Sequence, residues 1–215
     1  MGAYLTQNTS WKNVELALEG LRRKKLLSLN GIREVTLAEL ETAIRPAGYF
    51  RQKAARLKTF VTFVDSHYGG SLARMFAQPT SELREQLLGL NGVGPETADS
   101  ILLYAGQHPV FVVDAYTRRI LERHGIVDSK TSYEAIRQMC EQALSDSTCH
   151  GSASGPPDAS CPVPHPPSRM SRAQRSPLTQ VYNDMHGLIV NVGKHYCLKS
   201  HPKCESCPLK EFLPE

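Results

Sequence analysis

Leu90-Asn91-Gly92-Val93-Gly94-Pro95-Glu96-Thr97-Ala98 is the stretch on which the fold of this chain turns. Two glycines around one apolar residue suit a tight hairpin whose backbone another molecule can approach closely. Behind it Ala98, Ile101, Leu102 and Ala105 fall on one helical face, and in front of it Leu83, Leu87 and Leu88 mark a shorter helix. The stretch therefore predicts a helix, a hairpin and a second helix, with free amides at the start of the second. Such an end is an anion site, and a phosphate is the anion expected.

The same apolar period repeats outward in both directions. Val14, Ala17, Leu18 and Leu21 predict an amphipathic helix entered from Asn8 to Ser10, residues suited to capping. Thr36 with Glu39 makes a capping box, opening a helix through Leu40, Ala43 and Ile44 that stops at Arg45-Pro46. Ala54, Leu57, Val61 and Val64 predict a longer helix ending near Gly69-Gly70. Beyond the hairpin, a helix follows Asp114 to about His124, and another runs from a Thr131/Glu134 capping box to about Leu144. The last carries Val181, Met185, Leu188, Ile189 and Val192. Residues 109–113 form the one β-like run and are too few to make a sheet, so the fold class is all-α.

Residues 145–180 differ in kind. They hold seven of the fourteen prolines and eight serines, with no Leu, Ile or Phe before Leu178. Too little apolar surface is available there to offset ordering, which predicts a flexible insert. A second reading makes it a DNA-contacting arm through Arg169, Arg172 and Arg175.

No run reaches the roughly 18 apolar residues of a membrane span. The start also lacks the basic, apolar and small-residue zones of a signal peptide, so a soluble, cytoplasmic protein is expected. Residues 1–60 hold eleven Lys/Arg against five Asp/Glu. That balance suits a polyanion, although Arg22-Arg23-Lys24-Lys25 by itself reads first as a solvated helix end. Six cysteines in such a chain point to metal or free thiols before disulfides.

LNGVGPETADSILLYA followed by VFVVDAYTRRIL resembles the helix-hairpin-helix and catalytic-aspartate signature of the endonuclease III superfamily of DNA glycosylases. The resemblance spans nearly the whole chain outside residues 145–180. It implies a helical barrel over residues 1–108 and a second lobe over 109–215, with the active site in the cleft between them. The implied partner is double-stranded DNA carrying a damaged base, bound by a monomer at the nucleoid. The chain opens inside what resembles the family's second helix, so an opening helix is expected ahead of Met1.

Under this resemblance Asn91, Gly92, Val93, Gly94 and Thr97 hold a backbone phosphate without reading bases. Asp114, immediately before a helix, is a favoured N-cap. In the family, however, the aspartate after a Val-Val run lies at the mouth of the base pocket. N-glycosidic cleavage builds positive charge on the sugar, and a fixed carboxylate stabilises it while orienting or deprotonating water. Leu5-Thr6-Gln7-Asn8-Thr9 resembles the segment whose glutamine fills the duplex when a nucleotide is flipped out. Gln7 is that candidate, and a helix-terminal polar residue is the alternative.

Bifunctional family members carry a lysine where this chain has Glu96. The glutamate looks like the branch of monofunctional, 3-methyladenine-type enzymes, which implies excision of an alkylated purine without nicking. Glu96 is then a helix-start residue or, alternatively, contacts the flipped base or the attacking water. A bifunctional endonuclease III and an inactive helix-hairpin-helix DNA-binding protein are the rival readings. Cys197, Cys204 and Cys207 look like the first three ligands of the family's iron-sulfur loop, but the fourth position is Leu213. A 4Fe-4S cluster is one expectation, completed by His201, His195, Cys140, Cys149 or Cys161; a metal-free remnant loop is the other.

Overall fold

A computed structural model of the chain describes residues 1–149 and 175–214. Among the described residues the regular structure is helical and no strand occurs. The chain forms two compact units, Met1–Ile101 and Leu102–Glu215.

The first unit contains α1 (Gly2–Leu5), α2 (Trp11–Arg23), α3 (Leu29–Glu34) and α4 (Leu37–Ile44), then a 3-10 turn at Arg45–Ala47. It continues with α5 (Phe50–Tyr68), α6 (Leu72–Phe76), α7 (Thr80–Leu88) and α8 (Pro95–Ile101). Helix α5 is the hub, with α1, α3, α4 and α6 packed on it. The apolar positions that predicted the helices fill its core: Val14, Ala17, Leu21, Leu40, Ile44, Ala54, Leu57, Val61 and Val64 are all buried. Each Leu or Ile so buried contributes roughly 1.5–3 kcal/mol relative to exposure. A side chain at Gly20 would place its Cβ 2.4 Å from the Ala43 carbonyl oxygen, so glycine lets α2 lie close against α4. The Thr36/Glu39 capping box forms as expected. Ser10 stands at the start of α2 but its side chain makes no capping bond. Two short helices, α3 and α6, escape the apolar pattern; the hydroxyls of Ser28 and Ser71 cap them.

The second unit begins with a π-helical turn at Leu102–Gly106 and an extended, fully buried run at Val110–Val113. Lacking a partner strand, that run is tied by side chains: Phe111 N donates to Glu141 Oε1 at 2.9 Å and Val113 N to the Tyr133 hydroxyl at 3.3 Å. Then come α9 (Ala115–Arg123), α10 (Tyr133–Cys149) and α11 (Pro177–His195), followed by 3-10 turns at Cys204–Ser206 and Lys210–Phe212. Helix α11 packs on α9, α10 and the π-helical turn.

Three expectations are corrected here. Helix α10 is capped by Ser132, whose hydroxyl accepts from Ala135 N, because Thr131 is engaged with Asp128 instead. It also runs past Leu144 to Cys149, taking the first residues of the presumed insert into the helix. Residues 150–174, with Arg169, Arg172 and Cys161, lie outside the described residues. The third correction concerns α11. Its buried stripe is Thr179, Tyr182, His186, Ile189 and Gly193, while Met185 and Leu188, expected inside, face outward. The rotation lets Tyr116 pack on Gly193, where a Cβ would meet the ring at 2.3 Å.

Candidate functional site

The hairpin is held from beneath by an ion pair between its two helices. Arg84 on α7 donates through Nε to Asp99 Oδ1 at 2.6 Å and through a second nitrogen to Oδ2 at 3.1 Å, and the Asp99 side chain is fully buried. Val93 is buried and pins the tip, and Ala98 N donates to the Gly94 carbonyl at 2.9 Å as α8 begins.

The two glycines sit in different surroundings. Gly92 has φ +78, and a Cβ there would fall 2.0 Å from Arg56 Nε. Arg56 is not free to move aside, since it donates to Gln7 Oε1 at 2.6 Å. Gly94 has no positive φ, is exposed, and a Cβ there would meet nothing within 4 Å. Among the described residues nothing asks for glycine at 94.

Gln7 lies against this hairpin. Its Nε2 donates to the Gly92 carbonyl and to the Thr97 hydroxyl, each at 2.9 Å. Gln7, Gly92 and Thr97 are thus brought together, with Thr97 buried and turned to Gln7. Asn91 and Glu96 are exposed, Glu96 in the first turn of α8. Sequence reasoning passed over Tyr49, which opens α5 with φ 44 and ψ 32 and is 65% exposed. A left-handed aromatic residue is costly, and here it follows Gly48, also at positive φ. Lys53 braces both segments: it is buried and donates to the carbonyls of Leu5 (2.9 Å) and Ala47 (2.8 Å), each two residues before Gln7 or Tyr49.

In the second unit Asp114 caps α9, its Oδ1 accepting from Thr117 N at 2.8 Å and from Thr117 Oγ1 at 3.0 Å. Its Oδ2 faces His186 Nε2 at 3.6 Å. Burial pushes the carboxyl up, but His186 and the Thr117 bonds outweigh it, and the net result lies below the ordinary aspartate value. Beyond His186, the Tyr104 hydroxyl meets Nδ1, and burial first, then the charge of Asp114, push this phenol well up. His186 and Tyr104 were not expected at the site. The signal for His186 was its place in the 182, 186, 189, 193 stripe.

Cys197, Cys204 and Cys207 line one small cavity of about 20 Å³, together with Leu213, Arg123 and His124. Arg123 donates to Cys197 Sγ at 3.1 Å. The fourth expected thiolate is replaced by an apolar wall, Leu213. His195 and His201 are exposed and not part of the lining. Cys140 packs into the core of the unit, with its thiol pushed up to about 11 by burial and Glu141. No three His, Cys, Asp or Glu side chains among the described residues converge as metal ligands. Among the described residues the donors do not complete the four-thiolate set that a 4Fe-4S cluster of the usual kind takes, and the side chains of Cys149 and Cys161 lie outside that description.

A helix-hairpin-helix offering an open glycine, and a capped aspartate held ionised in an all-α chain, define the class of helix-hairpin-helix DNA glycosylases. The chain belongs to the HhH-GPD superfamily of base excision DNA repair proteins, which matches residues 1–146. It is 39% identical over 214 residues to the Methanocaldococcus jannaschii protein named "Putative DNA repair glycosylase MJ1434", spanning 99% of this chain and 82% of that one. It is 28% identical to endonuclease III of Thermotoga maritima over 96% of this chain and 76% of the relative. Among solved structures, the H. pylori 3-methyladenine DNA glycosylase MagIII bound to 1,N6-ethenoadenine superposes with a TM-score of 0.70. That pair is 26% identical, over 90% of this chain and 82% of the other. A non-covalent endonuclease III–DNA complex shares the fold at a TM-score of 0.71 and 21% identity, over 100% and 80% of the two chains. The protein is thus a base-excision DNA glycosylase of the HhH-GPD type.

Proposed function

We propose that this glycosylase excises an alkylated purine from duplex DNA by hydrolysis, working as a cytoplasmic monomer, and leaves the abasic strand intact. The observation that carries the proposal is Asp114: a carboxylate mostly out of solvent, locked by two bonds to Thr117 and kept ionised. The C1′–N bond breaks with its electrons leaving on the base, and positive charge grows on the sugar. A fixed negative group stabilises that charge, and water attacking C1′ gives its proton to the same carboxylate. The target nucleotide must be out of the stack for this to happen. The exposed ring of Tyr49 is suited to stacking where the duplex opens, while Gln7, committed to the hairpin, braces it for a phosphate at Gly94.

The substrate class rests on the likeness to the 3-methyladenine enzyme and on Glu96. Strand cleavage through a Schiff base needs an amine, which the carboxylate of Glu96 cannot supply. The test is a panel of duplexes carrying alkylated purines, oxidised pyrimidines and plain abasic sites. Alkylated purines should be released, strands should break only after alkali, and borohydride should trap no adduct. Release of oxidised pyrimidines with a strong trapped adduct would favour the bifunctional alternative.

A further inference from the structure

On α11 one buried polar side chain, His186, lies beside Asp114 rather than on the surface. It is 8% exposed, and its Nε2 has no hydrogen-bond partner among the described residues. The group it faces is Asp114 Oδ2, at 3.6 Å. That span is too long for a direct hydrogen bond. Closure by roughly 0.6–0.9 Å would bring the pair into ordinary range, and catalytic bonds that are long without substrate commonly tighten with it.

Tyr104 decides which way the imidazole points its proton. Its hydroxyl lies within hydrogen-bond reach of Nδ1, and a phenol O–H donates to a ring nitrogen that carries no proton. The proton of a neutral imidazole then sits on Nε2, directed at Asp114. The other carboxylate oxygen is already taken twice by Thr117. One oxygen of Asp114 is therefore set by the first turn of α9, and the other meets a buried N–H.

We propose that His186, its tautomer set by Tyr104, is a positioning residue for Asp114, fixing the rotation of the carboxylate that faces water and sugar. This rests on Asp114 being the catalytic carboxylate. His186 itself touches no reacting atom and moves no proton. Losing one charge-assisted hydrogen bond of this kind slows the step by about ten- to a hundredfold.

The experiment is single-turnover excision by the full chain, on a duplex that it processes, with duplex Kd measured in parallel. His186→Leu should lower the rate by about ten- to a hundredfold with Kd within a few fold. His186→Gln keeps an N–H near the place of Nε2 and should recover most of the rate. Tyr104→Phe frees the tautomer and should fall between the two. Parental rates in His186→Leu, or equal losses in the Leu and Gln variants, would overturn the positioning role. If His186→Leu does not fold, parental rates in Tyr104→Phe would overturn it instead. Asp114→Asn separates the two levels: full activity in that variant defeats the catalytic reading itself, whereas an inactive Asp114→Asn beside a fully active His186→Leu defeats only this inference.

Discussion

Removing Arg84 tests how the hairpin is held. Asp99 is fully buried and both of its oxygens bond the guanidinium of Arg84, which is itself mostly buried. Taking away one partner of such a pair leaves a charge in a low-dielectric interior and costs about 3–5 kcal/mol. With a urea slope of about 2 kcal/mol/M, Arg84→Met should lower the unfolding midpoint by roughly 1.5–2.5 M. The chain's one tryptophan, Trp11 on α2, lies in the same unit and reports its unfolding by fluorescence. The double variant Arg84→Met/Asp99→Leu removes the buried carboxylate as well and should recover most of the loss, since apolar replacements of buried pairs are often neutral or better. A midpoint unchanged in Arg84→Met, or a double variant as unstable as the single, would refute the claim that this pair clamps α7 to α8.

Asp114→Asn keeps a good N-cap, so melting should hold while excision falls by at least about a hundredfold in single-turnover assays. Because Asp114 is held below the ordinary aspartate value, its charged form persists as pH falls. The excision rate should therefore be flat from about pH 7 to about pH 5, and an acidic limb centred near pH 6 would contradict this assignment. At the hairpin, Gly92→Ala should destabilise the fold because Arg56 occupies the space and φ is positive, whereas Gly94→Val should leave melting unchanged and weaken duplex binding. Equal effects at the two glycines would defeat the distinction. Leu213→Cys should raise iron in anaerobically purified protein towards about four atoms per chain, because that side chain lines the same cavity as the three cysteines; no gain in iron would place the loop outside cluster chemistry.

What the sequence made legible follows from which physics leaves a periodic trace. Runs such as Ala54, Leu57, Val61 and Val64 announce a buried face, and α5 carries them as the hub of its unit. Helix α3 left no such trace. Its centre is Gly31, a poor helix former required because a Cβ there would meet the Leu26 backbone at 2.7 Å, and only Ile32 is buried. Thr131 and Ser132 are equally good caps on paper. Asp128 decides between them by engaging Thr131, and that choice belongs to the folded loop.

The side chains surrounding the candidate chemistry were harder to see for a related reason. In α11 the apolar residues Met185, Leu188, Ile189 and Val192 suggest one inward face. The observed face is rotated because Tyr182 and Gly193 contribute more to packing than Met185 and Leu188, which stay exposed. Once the stripe runs through 182, 189 and 193, position 186 is inside whatever its chemistry. A histidine there is read from hydropathy as a surface residue, yet the helix period leaves it no route to solvent. Tyr104 meets one ring nitrogen and the carboxylate of Asp114 lies 3.6 Å from the other, which offsets part of the cost of burial. Lys53 repeats the pattern on α5: a lysine on the buried stripe tolerated because the Leu5 and Ala47 carbonyls receive its ammonium. In both cases a polar residue sits in phase with an apolar stripe, and the groups that make its burial affordable lie beside the residues proposed to act on DNA.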